Sequence, residues 1–258
     1  MEAPELTVGF APELQLFLPT RLRGGQVTVA ADGTSTIGHL VESLGPPLTE
    51  VGGILADGRP VTPSFRPHGG ESVSVLPVHR PQELPYGAAR FVLDVHLGTL
   101  ARRLRLLGVD TRYGNDMNDD ALIAQANREE RILLTQDRGL LKRRLLGHGA
   151  FVRGSRPDAQ LHDVLDRFAP VPRPWTRCVV CNGCLIAVGK QEVEPVLMPG
   201  TRRTYDAYHR CRDCGRVYWH GAHSRRLDAI VDEARRIVGR SGTPAEGTGN
   251  GAARRPAS

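Results

Sequence analysis

All five cysteines of the chain fall between Cys178 and Cys214, and that confinement limits the fold more than any other feature. A disulfide-stapled exported domain would spread its cysteines along the chain. Cys-x-x-Cys pairs clustered in a cytosolic setting hold a metal instead. Cys178-Val-Val-Cys181 and Cys211-Arg-Asp-Cys214 offer four thiolates, the donor set of a closed tetrahedral Zn2+ site. Such a site stabilises a module and leaves no coordination position for a reacting water. Iron takes the same ligands. Cys181-Asn-Gly-Cys184 repeats the spacing, so Cys184 either replaces Cys178 or stays a free thiol. Symmetry with the second knuckle favours Cys178 and Cys181. His209, His220 and His223 read as surface or hairpin residues. Tyr218-Trp219 either packs the small core of this module or stacks a base.

Upstream, Pro-rich stretches at 77–89 and 170–174 divide the chain. The expected units are residues 1–80, 90–169 and 175–238, with 239–258 a disordered tail of Gly, Ala, Pro, Ser and Arg. In the first unit, 14–18 and 26–29 read as short strands of a hairpin turning at Arg23-Gly-Gly25. Thr36–Leu44 reads as a helix with Ile37, Leu40, Val41 and Leu44 on one face, ended by Gly45-Pro46. A small hairpin turns at Asp57-Gly58, and Ser72–Leu76 is a last strand. One helix covering a mixed sheet describes a β-grasp domain.

The second unit alternates strand and helix. Strands are expected at 90–94, 109–113, 131–135 and 149–153. Helices are expected at 97–107, 119–130, 140–146 and 161–168. This alternation implies a parallel sheet covered by helices, and a functional edge beyond the carboxyl ends of its strands. Asp94 closes the first strand, Asp137 follows the third, and Asn115-Asp-Met-Asn-Asp-Asp120 follows the second. Asp119 and Asp120 are also placed to cap a helix, and Asp137 to make a turn. An acid directly after Phe91-Val-Leu93 has no such local use. Asp116 and Asp119 are alternatives for one position. Carboxylates gathered at one edge suit Mg2+ or Mn2+, and these ions serve phosphodiester hydrolysis. No Gly-rich phosphate loop follows the first strand, which removes the main support for ATP or dinucleotide binding.

Arg102, Arg103 and Arg105 form one basic patch beside this edge and Arg138, Lys142, Arg143 and Arg144 a second, each either RNA-binding or an ordinary solvated surface. A net charge of +6 suits a polyanionic partner. No apolar run is long enough for a spanning helix and no leader pattern opens the chain, so no membrane association and a cytoplasmic location are expected.

Several separated motifs, in order, resemble one family. Phe91-Val-Leu-Asp-Val-His-Leu-Gly98 with Leu100–Gly108, Ile132-Leu-Leu-Thr-Gln-Asp-Arg-Gly-Leu140, and the two knuckles continuing to Trp219 look like the Mut-seven C-terminal RNase domain. The resemblance covers about residues 90–235. It implies a PIN-like parallel-sheet nuclease domain with a zinc ribbon, and an acidic site on Asp94, the Asp116/Asp119 segment and Asp137 beside Thr135. The fourth acid usual in PIN-like domains has no clear counterpart. The first unit resembles the ubiquitin-like domain fused before this RNase domain, which implies a protein-binding or positioning role. Gly69-Gly70 precedes the last strand, so sulfur-carrier chemistry, which needs a free C-terminal Gly-Gly, is not expected. The function implied is metal-dependent RNA hydrolysis. The alternative is a non-catalytic RNA-binding or ribosome-associated adaptor. Neither the RNA, endo- or exonuclease action, nor the oligomeric state is readable.

Overall fold

A computed structural model describes residues 4–221 and 224–241. The N-terminal sheet runs β2-β1-β5-β3-β4, from β1 (Glu5–Phe10), β2 (Val27–Ala30), β3 (Val51–Ala56), β4 (Arg59–Val61) and β5 (Ser72–Pro77). β1 and β5 pair in parallel at its centre, and the other pairings are antiparallel. α1 (Ile37–Leu44) starts on Thr36, whose hydroxyl accepts from the His39 amide. It ends at Gly45, φ +136°, where any Cβ would collide with the Phe17 carbonyl. This is a ubiquitin-like β-grasp domain.

One expected strand is absent. Pro12–Phe17 is a 3-10 helix, and the hairpin partner of β2 is β1. Leu14, Phe17 and Leu18 are all buried. Their spacing of three and one is helical, and it outweighs the apparent alternation of Leu14-Gln-Leu-Phe-Leu18.

The second domain holds four parallel strands in the order β7-β6-β8-β9: β6 (Arg90–Leu93), β7 (Asp110–Tyr113), β8 (Ile132–Thr135) and β9 (Gly149–Phe151). Side chains alternate across a strand, and both faces are covered. Phe91, Leu93, Ile132 and Leu134 join the core of α2 (Gly98–Leu106) and α5 (Pro157–Phe168). Val92 and Leu133 pack with Leu122, Ile123 and Ala126 of α3 (Asp119–Arg128). α3 stops early because Glu130 turns into the left-handed region, φ 51°. The expected helix at 140–146 is a single turn instead, α4 (Arg138–Leu141), fixed by Asp137 as its cap.

The C-terminal module is an antiparallel sheet of β10 (Leu185–Val188), β11 (Tyr208–Cys211) and β12 (Val217–Trp219). The β10–β11 connection carries α6 (Lys190–Val193) and α7 (Pro199–Thr204). α8 (Ser224–Ser241) places Val231, Ala234 and Ile237 in the core of the parallel-sheet domain. The final helix, grouped with the ribbon on sequence, thus packs against α2 and α5. The tail beyond Ser241 and His223 lie outside the described residues. Among the described residues no helix is long and apolar enough to cross a membrane.

The first two domains share a buried joint. Arg167 donates to both Glu50 oxygens at 2.7 and 2.8 Å, to the Thr49 carbonyl at 3.0 Å and to Gln82 Oε1 at 2.8 Å. The Phe151 amide donates to Glu50 Oε1 at 2.8 Å. The 77–89 connection is likewise anchored: Arg80 contacts Asp163 at 2.8 Å and Asp166 at 3.0 Å.

Candidate active site and metal centre

β6 and β8 are the neighbours at which strand order reverses, and such a switch point opens a crevice beyond the carboxyl ends of the strands. Asp94 and Asp137 sit there, just past β6 and β8. The Asp94 amide donates to the Leu134 carbonyl at 3.1 Å. Its Oδ1 accepts from the Val95 amide at 2.6 Å and its Oδ2 from the Thr135 hydroxyl at 2.7 Å. The same hydroxyl oxygen accepts from the Asp137 amide at 2.9 Å. Buried Thr135 therefore ties the two acidic positions together. Asp137 Oδ1 also caps α4, accepting from Gly139 N at 2.7 Å and Leu140 N at 3.3 Å, and Oδ2 is in neither bond. Gln136 turns away, donating to the Val152 and Gly154 carbonyls.

Asp116 and Asp119 lie exposed where β7 leads into α3. Asn118, not Asp119, caps α3 by accepting from Ala121 N at 2.9 Å. Asp120 pairs with Arg143. Among the described residues, the four knuckle cysteines are the only group of three or more His, Cys, Asp or Glu with ligand atoms within 4.8 Å of one another. The structure thus joins Asp94 to Asp137 and leaves Asp116 and Asp119 outside any three-carboxylate cluster.

The basic residues divide. Arg138 donates to the Phe17 carbonyl at 3.0 Å and the Leu16 carbonyl at 2.7 Å, with its guanidinium 5.2 Å from the Phe17 ring centre. Lys142 donates to the Glu42 carbonyl at 2.6 Å, and burial holds its pKa below the ordinary lysine value. Both were expected to contact RNA; both instead grip the N-terminal domain, which packs over α4. Arg103 pairs with Asp158 at 2.6 Å. Arg102, Arg143 and Arg144 are exposed.

In the cysteine module all four ligand sulfurs lie within 4.8 Å of one another. Cys178 and Cys214 are 3.7 Å apart and Cys181 and Cys211 3.4 Å. A tetrahedral zinc with bonds of about 2.3 Å spaces its sulfurs by about 3.8 Å, so the donor set fits the ion. Cys184 is exposed and outside the group. Burial pushes the Cys178 thiol up, but the Tyr218 hydroxyl, 3.0 Å from its sulfur, and neighbouring amides bring it down to about 6. Burial pushes Cys181 up to about 12.

The first knuckle is fastened to β7 by Arg105, expected in a phosphate-facing or solvated basic patch but buried here, and by Asn182, for which no role was expected. Arg105 donates to the Thr111 carbonyl at 2.8 Å and the Val180 carbonyl at 2.7 Å. Asn182 accepts from the Thr111 amide at 2.9 Å and donates to Asp110 at 2.7 Å. The available signal was Arg105 itself, a cation between the inward positions Leu104 and Leu107.

A family model described as Mut7-C RNAse domain matches residues 89–231, and one described as Mut7-C ubiquitin matches residues 3–83. No curated protein and no solved structure matches significantly.

Proposed function

The chain belongs to the Mut7-C RNAse domain family, and from that premise we propose that it is a divalent-metal-dependent ribonuclease whose chemistry occurs at the β6–β8 switch point. The observation that carries this reading is the Asp94–Thr135–Asp137 linkage at 2.7 and 2.9 Å. Two carboxylates on rigid strand ends, joined by one buried hydroxyl, resemble a preorganised site more than two independent turns. The all-oxygen donors of Asp94, Asp137, Asp116 and Asp119 suit Mg2+ or Mn2+, which supply charge neutralisation and an acidified water in phosphodiester hydrolysis.

The side chains divide the rest of the work. Thr135 fixes the orientation of Asp94 through its donated proton. Asp137 holds the start of α4 while presenting its other oxygen. Asp116, on the loop after β7, and Asp119, which opens α3, are exposed carboxylates that would complete the donor set when the ion is bound. Arg102 and Arg144, which pair with no carboxylate among the described residues, draw the RNA backbone by charge, and Arg143 adds to this once it leaves Asp120. Water adds to phosphorus and the P–O3′ bond breaks, leaving a 5′-phosphate and a 3′-hydroxyl. The zinc centre holds the ribbon, and the ubiquitin-like domain braces α4 and offers a surface for a protein partner.

The test is cleavage of a mixed pool of structured and single-stranded RNA by the purified chain, with and without Mg2+. Asp94→Asn and Asp137→Asn keep size and remove charge, so each should lose most of the Mg2+-dependent cleavage while binding RNA and retaining zinc. Cleavage that persists in both variants would sink the assignment. A parent chain that binds RNA tightly and never cleaves it would establish the adaptor reading.

A further inference from the structure

Two cavities meet along α2. One, of 540 Å³, starts beside Asp94 and is lined by Val95, His96, Tyr113 and Asn115. The other, of 480 Å³, is walled by Trp175, Tyr218, Trp219, Leu106, Leu185 and Ile230. Thr99 and Arg102 line both. The second cavity therefore joins flat aromatic and aliphatic walls to a guanidinium that it shares with the cavity lined by Val95 and His96.

Charge narrows the occupant. Arg102, Arg103 and Arg177 all line the apolar cavity. Arg103 pairs with Asp158, and Arg177 contacts Asp110 at 3.2 Å, a carboxylate it shares with Arg131. Arg102 pairs with no carboxylate among the described residues. One uncompensated cation at the edge of an aromatic slot matches one phosphate attached to one flat ring. The volume lies in the range of about 300–1,000 Å³ usual for small-ligand sites.

Trp175 adds a second observation. It is half-buried, it stands in the left-handed region at φ 66°, and its ring lies 5.8 Å from His209 and 5.2 Å from His220. A bulky residue held there is strained, and such strain gathers at ligand-holding positions. The Trp175 ring packs on the two histidines on one side and walls the cavity on the other.

We propose that the apolar cavity between α2, the ribbon and α8 is a nucleobase subsite, seating one unpaired base of an RNA strand whose phosphate lies on Arg102. This rests on the ribonuclease reading and narrows its substrate. A base paired within an A-form duplex must unpair and unstack before it can enter the slot, so the site favours single-stranded or looped RNA.

The experiment titrates the full zinc-loaded chain, without added divalent cation, with a single-stranded oligoadenylate and with a perfect RNA duplex, at several salt concentrations. Trp175→Asn keeps a residue that tolerates the left-handed backbone, and Trp175→Phe keeps a ring. Zinc content and cooperative unfolding verify that each variant folds. Single-strand affinity should fall about tenfold in Trp175→Asn and be largely restored in Trp175→Phe. Arg102→Ala should weaken binding and reduce the salt slope by about one phosphate contact. Duplex binding should not respond to the Trp175 variants. Unchanged single-strand affinity in both Trp175→Asn and Arg102→Ala would overturn the proposal and leave the slot to a protein side chain or to residues 242–258. An equal loss for duplex would overturn it as well. The two readings fail separately: Trp175-dependent binding without any Mg2+-dependent cleavage ends the ribonuclease reading alone, and normal cleavage and binding in Trp175→Asn ends the subsite alone.

Discussion

At the scale of single residues, the metal centre and the acidic pair follow the same rule: a functional atom is held by a neighbour with a hydroxyl. Thr135 does this for Asp94, and Tyr218 does it for Cys178. Zinc is bound by thiolates, so each ligand that is still protonated must release its proton, and affinity falls as pH falls. The Tyr218 hydroxyl and nearby amides hold the Cys178 thiol below its ordinary range, while burial pushes Cys181 above it. Tyr218→Phe removes a hydrogen bond that favours the Cys178 thiolate. It should lower zinc affinity about tenfold at neutral pH, as loss of an outer-shell partner commonly does. It should also steepen the rise of affinity with pH, because one more proton then leaves on binding. Chelator competition between pH 6 and 8 measures both, and an unchanged pH slope would dissociate Tyr218 from the ligand set. Replacing Cys178, Cys181, Cys211 or Cys214 should release the metal and loosen the module, whereas Cys184→Ser should retain it, because Cys184 lies outside the four-sulfur group.

Among the elements, α4 is the one through which the domains meet the chemistry. It is one turn long, Asp137 caps it, and Arg138, its first residue, is held by the Leu16 and Phe17 carbonyls. Arg138→Ala should therefore loosen the position of Asp137 and lower kcat about tenfold, as small misplacements do, with KM for RNA nearly unchanged. A phosphate contact would behave oppositely, raising KM and flattening the salt dependence. Lys cannot reproduce the two-pronged bond, so Arg138→Lys should rescue only in part. Sequence reading reached the strands β6 and β8 and their acids because short apolar runs ending in Asp are local patterns. It reached α1 through its face and its Gly45 stop. It missed the 3-10 turn at Pro12–Phe17 because a five-residue apolar string fits two periods. It misjudged Arg138 and Lys142 because a cation gripping a carbonyl from another domain has the same local sequence as one facing RNA. The Thr135 linkage was half legible: the motif placed Thr135 beside Asp137, and only the β6–β8 register brought it to Asp94.

Across the whole molecule, the ubiquitin-like domain is not a tethered accessory. Arg167 and Glu50, from α5 and the turn before β3, are 1 % exposed and make a two-oxygen ion pair inside the joint. Burying two charges is costly, so a pair like this adds little over a well-packed apolar contact. Removing one partner leaves the other unpaired and costs about 3–5 kcal/mol. Arg167→Met strands the Glu50 carboxylate, and Glu50→Leu strands the guanidinium and also the Phe151 amide that donates to Glu50 at 2.8 Å. The double variant Arg167→Met/Glu50→Leu leaves no unpaired charge, and the groups that lose a partner, the Phe151 amide, the Thr49 carbonyl and Gln82 Oε1, are neutral, at about 1–3 kcal/mol for each that stays buried and unsatisfied. Each single variant should thus be less stable than the double, in urea unfolding followed by both tryptophan fluorescence and circular dichroism. The parent should unfold in one transition, since the joint couples the two cores. The single variants should show two transitions, with the N-terminal domain released first and Mg2+-dependent cleavage falling as the joint opens, because Arg138 then loses its grip on Phe17. Single variants whose losses simply add in the double would show that the pair contributes no coupling between domains. The ubiquitin-like domain would then stabilise the acidic site through Arg138 and Lys142 alone.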